Sequence, residues 1–176
     1  MSEGAATPAG INHLVLRVRD LEESHEFWTN LMGFRQVGEW ESTPEMTMNM
    51  RFYSGADENG EAHHHDVGLM EVKNLPQGKE LDAATGLSHV AVGYPTREAW
   101  LQQVKHLSDS GVKYRRVDHG MTHSVYLQDP NGHSVEVLYD LPREVWGDDV
   151  AGALNHFEVR PSDELVDSVD YKSDFS

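Results

Sequence analysis

The sequence predicts an α+β protein built from two copies of a βαβββ module, and three observations carry that prediction. Two strand-like stretches match, Ile11-Asn-His13-Leu-Val-Leu and Leu87-Ser-His89-Val-Ala-Val, 76 residues apart and each with a histidine third. Each is followed by a helical stretch that ends at a glycine, and each helix by three further strand-like segments. Similarity at a fixed offset makes a duplicated module the economical reading. The predicted organisation is a disordered arm at 1–10, one domain at 11–140 and a C-terminal extension at 141–176. Within the domain, module 1 runs from 11 to 72, a connector from 73 to 86 and module 2 from 87 to 140.

Ile11 to Val18 alternates and is rich in branched residues, so it reads as a strand with His13, Val15 and Arg17 on one face. Asp20 can cap the following helix and Gly33 can end it, with Leu21, Phe27, Trp28, Leu31 and Met32 as its apolar stripe. Phe34 to Trp40, Met46 to Ser54 and His64 to Val72 are the remaining strands of the first module, with an Asp57–Gly60 turn before the last. After a polar connector of some helical character, Leu87 to Tyr94 starts the second module. Thr96 to Ser110 is its helix, burying Trp100, Leu101, Val104 and Leu107 and stopping at Gly111, and Val112 to Val117 is a short strand. Each module has one apolar sheet face for its helix, so the opposite faces are free to curl around a cleft.

The last hairpin carries the most chemistry. Ser124 to Gln128 and Ser134 to Asp140 are its strands, joined through Asp129-Pro130-Asn131-Gly132. A two-residue turn would put Tyr126 and Glu136 on opposite faces, whereas a three-residue type I loop with Gly132 left-handed in a bulge pairs them directly. Pro-Asn-Gly suits the bulged form. A carboxylate, a phenol and two histidines, His119 and His123, then converge on one mouth. Beyond Asp140, Pro142 to Trp146 reads as a turn of helix, Trp146, Leu154 and Phe157 as anchors, and the acidic end as frayed or partner-bound.

Composition narrows the function classes. Lys plus Arg number 14 against 30 Asp plus Glu, a net charge of -16. That field repels phosphate backbones, which argues against nucleic acid, and disfavours polyanionic substrates unless a local basic patch overrides it. No run of about 18 apolar residues exists, so no membrane span is expected. Absence of cysteine removes disulfides, thiol nucleophiles and thiolate metal sites together, and agrees with a cytoplasmic protein without requiring one. Apolar residues in the tail point to a homo-oligomer.

His13, His89 and Glu136 form the candidate metal set: two histidines at equivalent places in the two modules and one carboxylate on the last strand. Two imidazoles and a carboxylate on one side of a metal leave the other side open, the arrangement that non-haem Fe(II) uses, though Zn(II), Ni(II) and Mn(II) accept similar donors. Taken singly, each histidine is a commoner sight as a hydrogen-bonded core or surface residue, and Glu136 as a solvated strand carboxylate; the repeat is what singles them out. His63-His64-His65-Asp66 leads into an apolar strand, and alternation puts His64 and Asp66 on one face and His65 on the other. Phe52, Tyr53, Trp146 and Phe157 are candidates for a ring pocket or for core and tail anchors.

This pattern resembles the vicinal oxygen chelate superfamily, with its glyoxalase/bleomycin-resistance-like fold. Val117-Asp-His119, five residues, Val125-Tyr126, two residues, Asp129-Pro130, one residue, Gly132, three residues and Glu136 is similar to the signature of type I extradiol ring-cleavage dioxygenases, here in a short one-domain form. The resemblance, over roughly residues 10 to 142, implies a glyoxalase/extradiol dioxygenase-like domain with a metal in its cleft. Fe(II), with Mn(II) as the alternative, would be held by His13, His89 and Glu136. It further implies His65, or failing it His64, as the acid/base histidine, and His119 and Tyr126 as groups that hydrogen-bond the substrate. The expected reaction is extradiol cleavage of a catechol by O₂, as in aromatic hydrocarbon catabolism. A glyoxalase- or epimerase-like isomerase needs a carboxylate base and often a fourth ligand from the first module, for which Glu61, Glu71 and His64 are candidates. A non-catalytic ligand-binding protein of the same fold is the third reading.

Overall fold

A computed structural model of the chain describes residues 11–40, 42–44, 47–57, 59–62, 64–75, 86–147 and 150–160. The predicted arm, His63, most of the connector and the chain beyond residue 160 lie outside the described residues. The chain divides into two compact units, with the boundary between Leu75 and Pro76.

In the first unit β1 (Leu14–Val18), α1 (Leu21–Glu26), β2 (Arg35–Trp40), β3 (Met50–Ser54) and β4 (Val67–Glu71) form a sheet of order β1-β4-β3-β2, parallel between β1 and β4 and otherwise antiparallel. The Asp20 carboxylate accepts from the N–H groups of Glu22 and Glu23 at 2.8 and 2.9 Å, satisfying two of the donors a helix start leaves open. One wider π turn, Phe27–Leu31, continues the helix, and Gly33 at φ 78° ends it by donating to the Thr29 carbonyl. Leu16, Val18, Phe27, Trp28, Met32, Tyr53 and Leu69 are the core between helix and sheet. The predicted turn before β4 is present: Asp57 Oδ1 accepts from Asn59 and Glu61 N–H groups, and Gly60 has φ 78°.

In the second unit β5 (Val90–Gly93), α2 (Arg97–Asp109), β6 (Arg115–Asp118), β7 (Thr122–Gln128) and β8 (Ser134–Asp140) repeat the scheme, in the order β5-β8-β7-β6. Thr96 caps α2 through Ala99 N–H, and Gly111 at φ 72° follows its end. Trp100, Val104 and Leu107 are buried as expected; Leu101 is half-buried and Gln103 takes the remaining inward position, because the buried stripe runs at i, i+3, i+4, i+7 from Trp100 and leaves position 101 at its edge. Trp100 Nε1 donates to the Val137 carbonyl at 3.1 Å, tying the helix to the middle of the sheet.

Two short helices, α3 (Arg143–Trp146) and α4 (Val150–Asn155), then lead to β9 (Glu158–Arg160), which pairs antiparallel with β6 and extends the second sheet. The tail anchors differ from expectation. Leu154 is 70% and Phe157 57% exposed, while the small Ala153 is fully buried; Trp146 is half-buried and donates to the Leu141 carbonyl.

Several strands start later than predicted: β1 at Leu14 rather than Ile11, β3 at Met50 rather than Met46, β4 at Val67 rather than His64, β5 at Val90 rather than Leu87 and β6 at Arg115 rather than Val112. In the first unit the non-local pairing begins where Leu14 N–H reaches the Asp66 carbonyl at 3.1 Å. His13 and His89 therefore stand in the same place in both units, one residue ahead of the ladder.

Candidate metal centre

The register of the last hairpin puts Tyr126 opposite Glu136, with no shift between Thr122–Asp140 and Gln128–Ser134. The loop is Pro130-Asn131-Gly132: Asp129 N–H bonds to the His133 carbonyl, Gly132 N–H to the Asp129 carbonyl, and Gly132 has φ 92°. Asp129, buried, locks it by accepting from the N–H groups of Asn131 and His133 and pairing with the His133 ring at 2.8 Å. Directly opposed residues share a sheet face, so Arg115, Tyr126, Glu136 and Ala91 form one row across β6, β7, β8 and β5.

Four predicted site residues of the second unit meet on that face. His89 Nε2 lies 3.1 Å from Glu136 Oε2, and His119 Nε2 lies 3.8 Å from Glu136 Oε1 and 2.8 Å from the Tyr126 hydroxyl. His119 is presented by a tight turn in which its N–H bonds to the Thr122 carbonyl and Asp118 Oδ1 accepts from Gly120 N–H. Glu136 is only 5% exposed. Burial first, and then the hydrogen bond and charge of Glu136, push the Tyr126 phenol far above its ordinary range, so it keeps its proton and remains a donor. His123 does not join them. It points to the other face, buried against the Trp100 ring at 6.1 Å between centroids and 3.6 Å from Asp118, because it alternates with Thr122 and Ser124 along β7.

Three histidines of the first unit lie together. The His65 ring lies 4.3 Å from His13, 4.6 Å from His64 and 5.0 Å from Phe52, centroid to centroid, and His64 and His65 approach to 2.9 Å through their Nδ1 atoms. The alternation expected of His64 and His65 is absent because both precede β4, where the chain is not yet extended in the ladder. Burial, then the neighbouring His13 and His64, hold the half-buried His65 below the usual imidazole range. Phe52 shares this neighbourhood, but Tyr53 does not: it is fully buried on the helix side, 3.1 Å from His25 Nδ1, with its phenol pushed up to about 12 by burial.

The donor set suits a divalent ion. Imidazole nitrogens offer neutral lone pairs, and a buried carboxylate whose nearest polar neighbours are imidazoles and a phenol, with no Lys or Arg ion pair among the described residues, retains charge to offer. The corresponding row of the first unit reads Val15, Gly68, Phe52 and Gly38. Gly68 stands where the second unit has Glu136, and a Cβ there would already sit 3.1 Å from Val15 Cγ2. Sequence reasoning missed β9 and its ionic network, in which Arg160 binds Asp118 at 3.5 Å and Glu158 at 2.9 Å with His156 nearby. The alternation His156-Phe157-Glu158-Val159-Arg160 was the signal for it. Asp118, His156 and Glu158 have donor atoms within 4.8 Å of one another, but Arg160 already neutralises the two carboxylates.

A βαβββ unit made twice, with histidines at matching strand entries and a carboxylate on the last strand, defines a class of metal-binding fold. The chain belongs to the Glyoxalase/Bleomycin resistance protein/Dioxygenase superfamily, whose sequence profile matches residues 10–137. It is 29% identical over 143 residues to a catechol-2,3-dioxygenase of Bacillus subtilis (strain 168), a match covering 81% of this chain and 45% of that protein. It is also 28% identical over 149 residues to a lactoylglutathione lyase of Pseudomonas putida, covering 74% of this chain and 85% of the lyase. The chain thus spans under half of the dioxygenase and most of the lyase. A glyoxylase/bleomycin resistance protein/dioxygenase domain from Frankia sp. EAN1pec shares the fold, with TM-score 0.61, 14% identity, and coverage of 77% of this chain and all of that domain. Among the described residues no helix is long and apolar enough to cross a membrane.

Proposed function

We propose that this protein is an Fe(II)-dependent dioxygenase that uses O₂ to cut a catecholic ring beside, not between, its two hydroxyls, with His13, His89 and Glu136 as metal ligands and Mn(II) as the alternative ion. The observation that carries this reading over the isomerase is the contrast between the two rows: Glu136 flanked by Tyr126 in one unit, Gly68 flanked by Phe52 in the other. An isomerase would draw a carboxylate base and often a further ligand from the first module. Gly68 provides neither, Glu71 lies on the opposite face of β4 and accepts from Asn49 Nδ2 at 3.2 Å, Glu61 is exposed in the turn, and His64, beside His65, could offer a ligand but no carboxylate base.

When bound, the ion supplies Lewis acidity toward the diol oxygens and a path for electrons from ring to O₂. The chain's own groups do the rest. His65 presents a ring beside His13 and accepts one diol proton, which it later returns to the departing oxygen. Tyr126 donates from its hydroxyl, and His119, held at 2.8 Å, fixes where that hydroxyl points. One such preorganised donor is worth roughly 3 kcal/mol at a developing oxyanion. Phe52 offers a flat apolar wall next to His65.

The test is anaerobic loading with Fe(II), followed by O₂ and a panel of monocyclic and bicyclic catechols. A yellow ring-opened product, lost in Glu136→Ala and slowed in His65→Ala with metal retained, is the expected result. Turnover of thiol adducts with Ni(II) or Zn(II) and no yellow product would replace this reading by the isomerase.

A further inference from the structure

The chain's net charge of -16 disfavours anionic ligands, yet the row that begins at Glu136 ends in a cation. Arg115 is the register partner of Tyr126, which is the partner of Glu136, so the three side chains follow one another on one face. Its guanidinium lies over the Tyr126 ring at 5.4 Å and the Phe157 ring at 5.8 Å. Two other arginines are neutralised, Arg51 by Glu22 and Arg160 by Asp118 and Glu158. Arg115 has no ion pair among the described residues, and exposed Lys113 lines the same shallow, open surface beside it.

A guanidinium stacked on aromatic faces has its planar fork of N–H donors pre-oriented, which suits bidentate binding of a carboxylate. Phe157 comes from the C-terminal extension, sits 5.5 Å from the His119 ring, and is 57% exposed, so it adds an apolar wall at the same end. Neighbouring strands lie about 4.8 Å apart, which puts the Arg115 strand roughly 10 Å from that of Glu136. One aromatic ring bearing a carboxylate, met by the long arginine side chain, fills that span.

We propose that Arg115, assisted by Lys113 and walled by Phe157, selects aromatic diols that carry a carboxylate over uncharged ones. This deepens, and rests on, the catechol reading given above. The full chain, loaded anaerobically with Fe(II), is titrated by calorimetry with protocatechuate and with methylcatechol. The expected result is protocatechuate binding about 10-fold tighter, a preference that falls with added salt, disappears in Arg115→Gln and is partly kept in Arg115→Lys. Equal affinity for the two diols in the wild type, or a preference that survives Arg115→Gln in a protein with unchanged melting, overturns the inference. Admission of air scores the catalytic reading separately. Ring opening of both diols without preference sinks the role of Arg115 alone, and a preference without ring opening sinks the dioxygenase and leaves an anion-selective site.

Discussion

Replacing Glu136 by glutamine keeps the shape of the side chain and removes its charge, and the structure gives opposite expectations for stability and for metal binding. Without metal, a buried carboxylate costs several kcal/mol in lost hydration, even after relaxation. Contacts with His89 at 3.1 Å and with the Tyr126 hydroxyl return about 1.5–3 kcal/mol each. The two sums nearly cancel, so Glu136→Gln changes the metal-free stability by less than about 1 kcal/mol. With metal the balance tips, since the one anionic donor of the proposed set is gone and affinity falls about 100-fold or more. At a metal concentration 100 times the wild-type Kd, linkage adds about 2.7 kcal/mol to the wild type and about 0.4 kcal/mol to the variant. For a chain of this size that is a rise in Tm of roughly 5–11 °C against about 1 °C. Thermal melts of chelator-treated protein, with and without Mn(II) or anaerobic Fe(II), read both quantities. An equal metal-induced rise in wild type and variant would remove Glu136 from the metal site, and a large loss of metal-free stability would refute the energy balance.

Three further outcomes follow from particular contacts. Tyr126→Phe leaves His119 without its 2.8 Å partner and should cut turnover about 100-fold; because the phenol is held well above its ordinary range, the wild-type rate profile should show no tyrosine limb up to pH 10, and a limb that vanishes in the variant would contradict this. Burial holds His123 below the ordinary imidazole value, so the unfolded chain binds its proton first. The His123 contribution to stability is complete above about pH 6.5 and is lost as pH falls toward and below the folded value. Denaturation curves should therefore be flatter below that pH in His123→Gln than in wild type, and parallel curves would defeat the assignment. Trp100→Phe removes the donor to the Val137 carbonyl in the middle of the sheet and should cost about 1–3 kcal/mol in urea unfolding, with the slope unchanged.

The features legible in the sequence were those set by local chemistry. Asp20 capped its helix because its side chain bonds N–H groups two and three residues on, and Pro130-Asn131-Gly132 fixed a loop whose parity decides that Tyr126 meets Glu136. The placement of His64 and His65 was not legible, because strand alternation holds only inside a ladder and the ladder starts at Val67. Tyr53 and Phe52, adjacent in sequence, divide between helix side and open face by a register that depends on β4, far along the chain. The short β9 was missed because its alternation spans only His156 to Arg160 and its structure comes from β6, some forty residues earlier.

One edge of each sheet, β2 in the first and β9 in the second, guards itself in a different way. β2 carries a register shift between Gln36 and Gly38, with charged Arg35 and Glu39 along it, and a bulged edge offers no straight row of N–H and C=O groups to an incoming strand. β9 is only three residues long and has charges at both ends, Glu158 and Arg160, which already bind each other. Its apolar side chain Val159 points off the face of the sheet, as the neighbouring Phe157 does, rather than along the edge. The backbone at this border is thus a poor template for intermolecular strand addition, the route by which exposed sheet edges aggregate, while its side chains stay available for recognition.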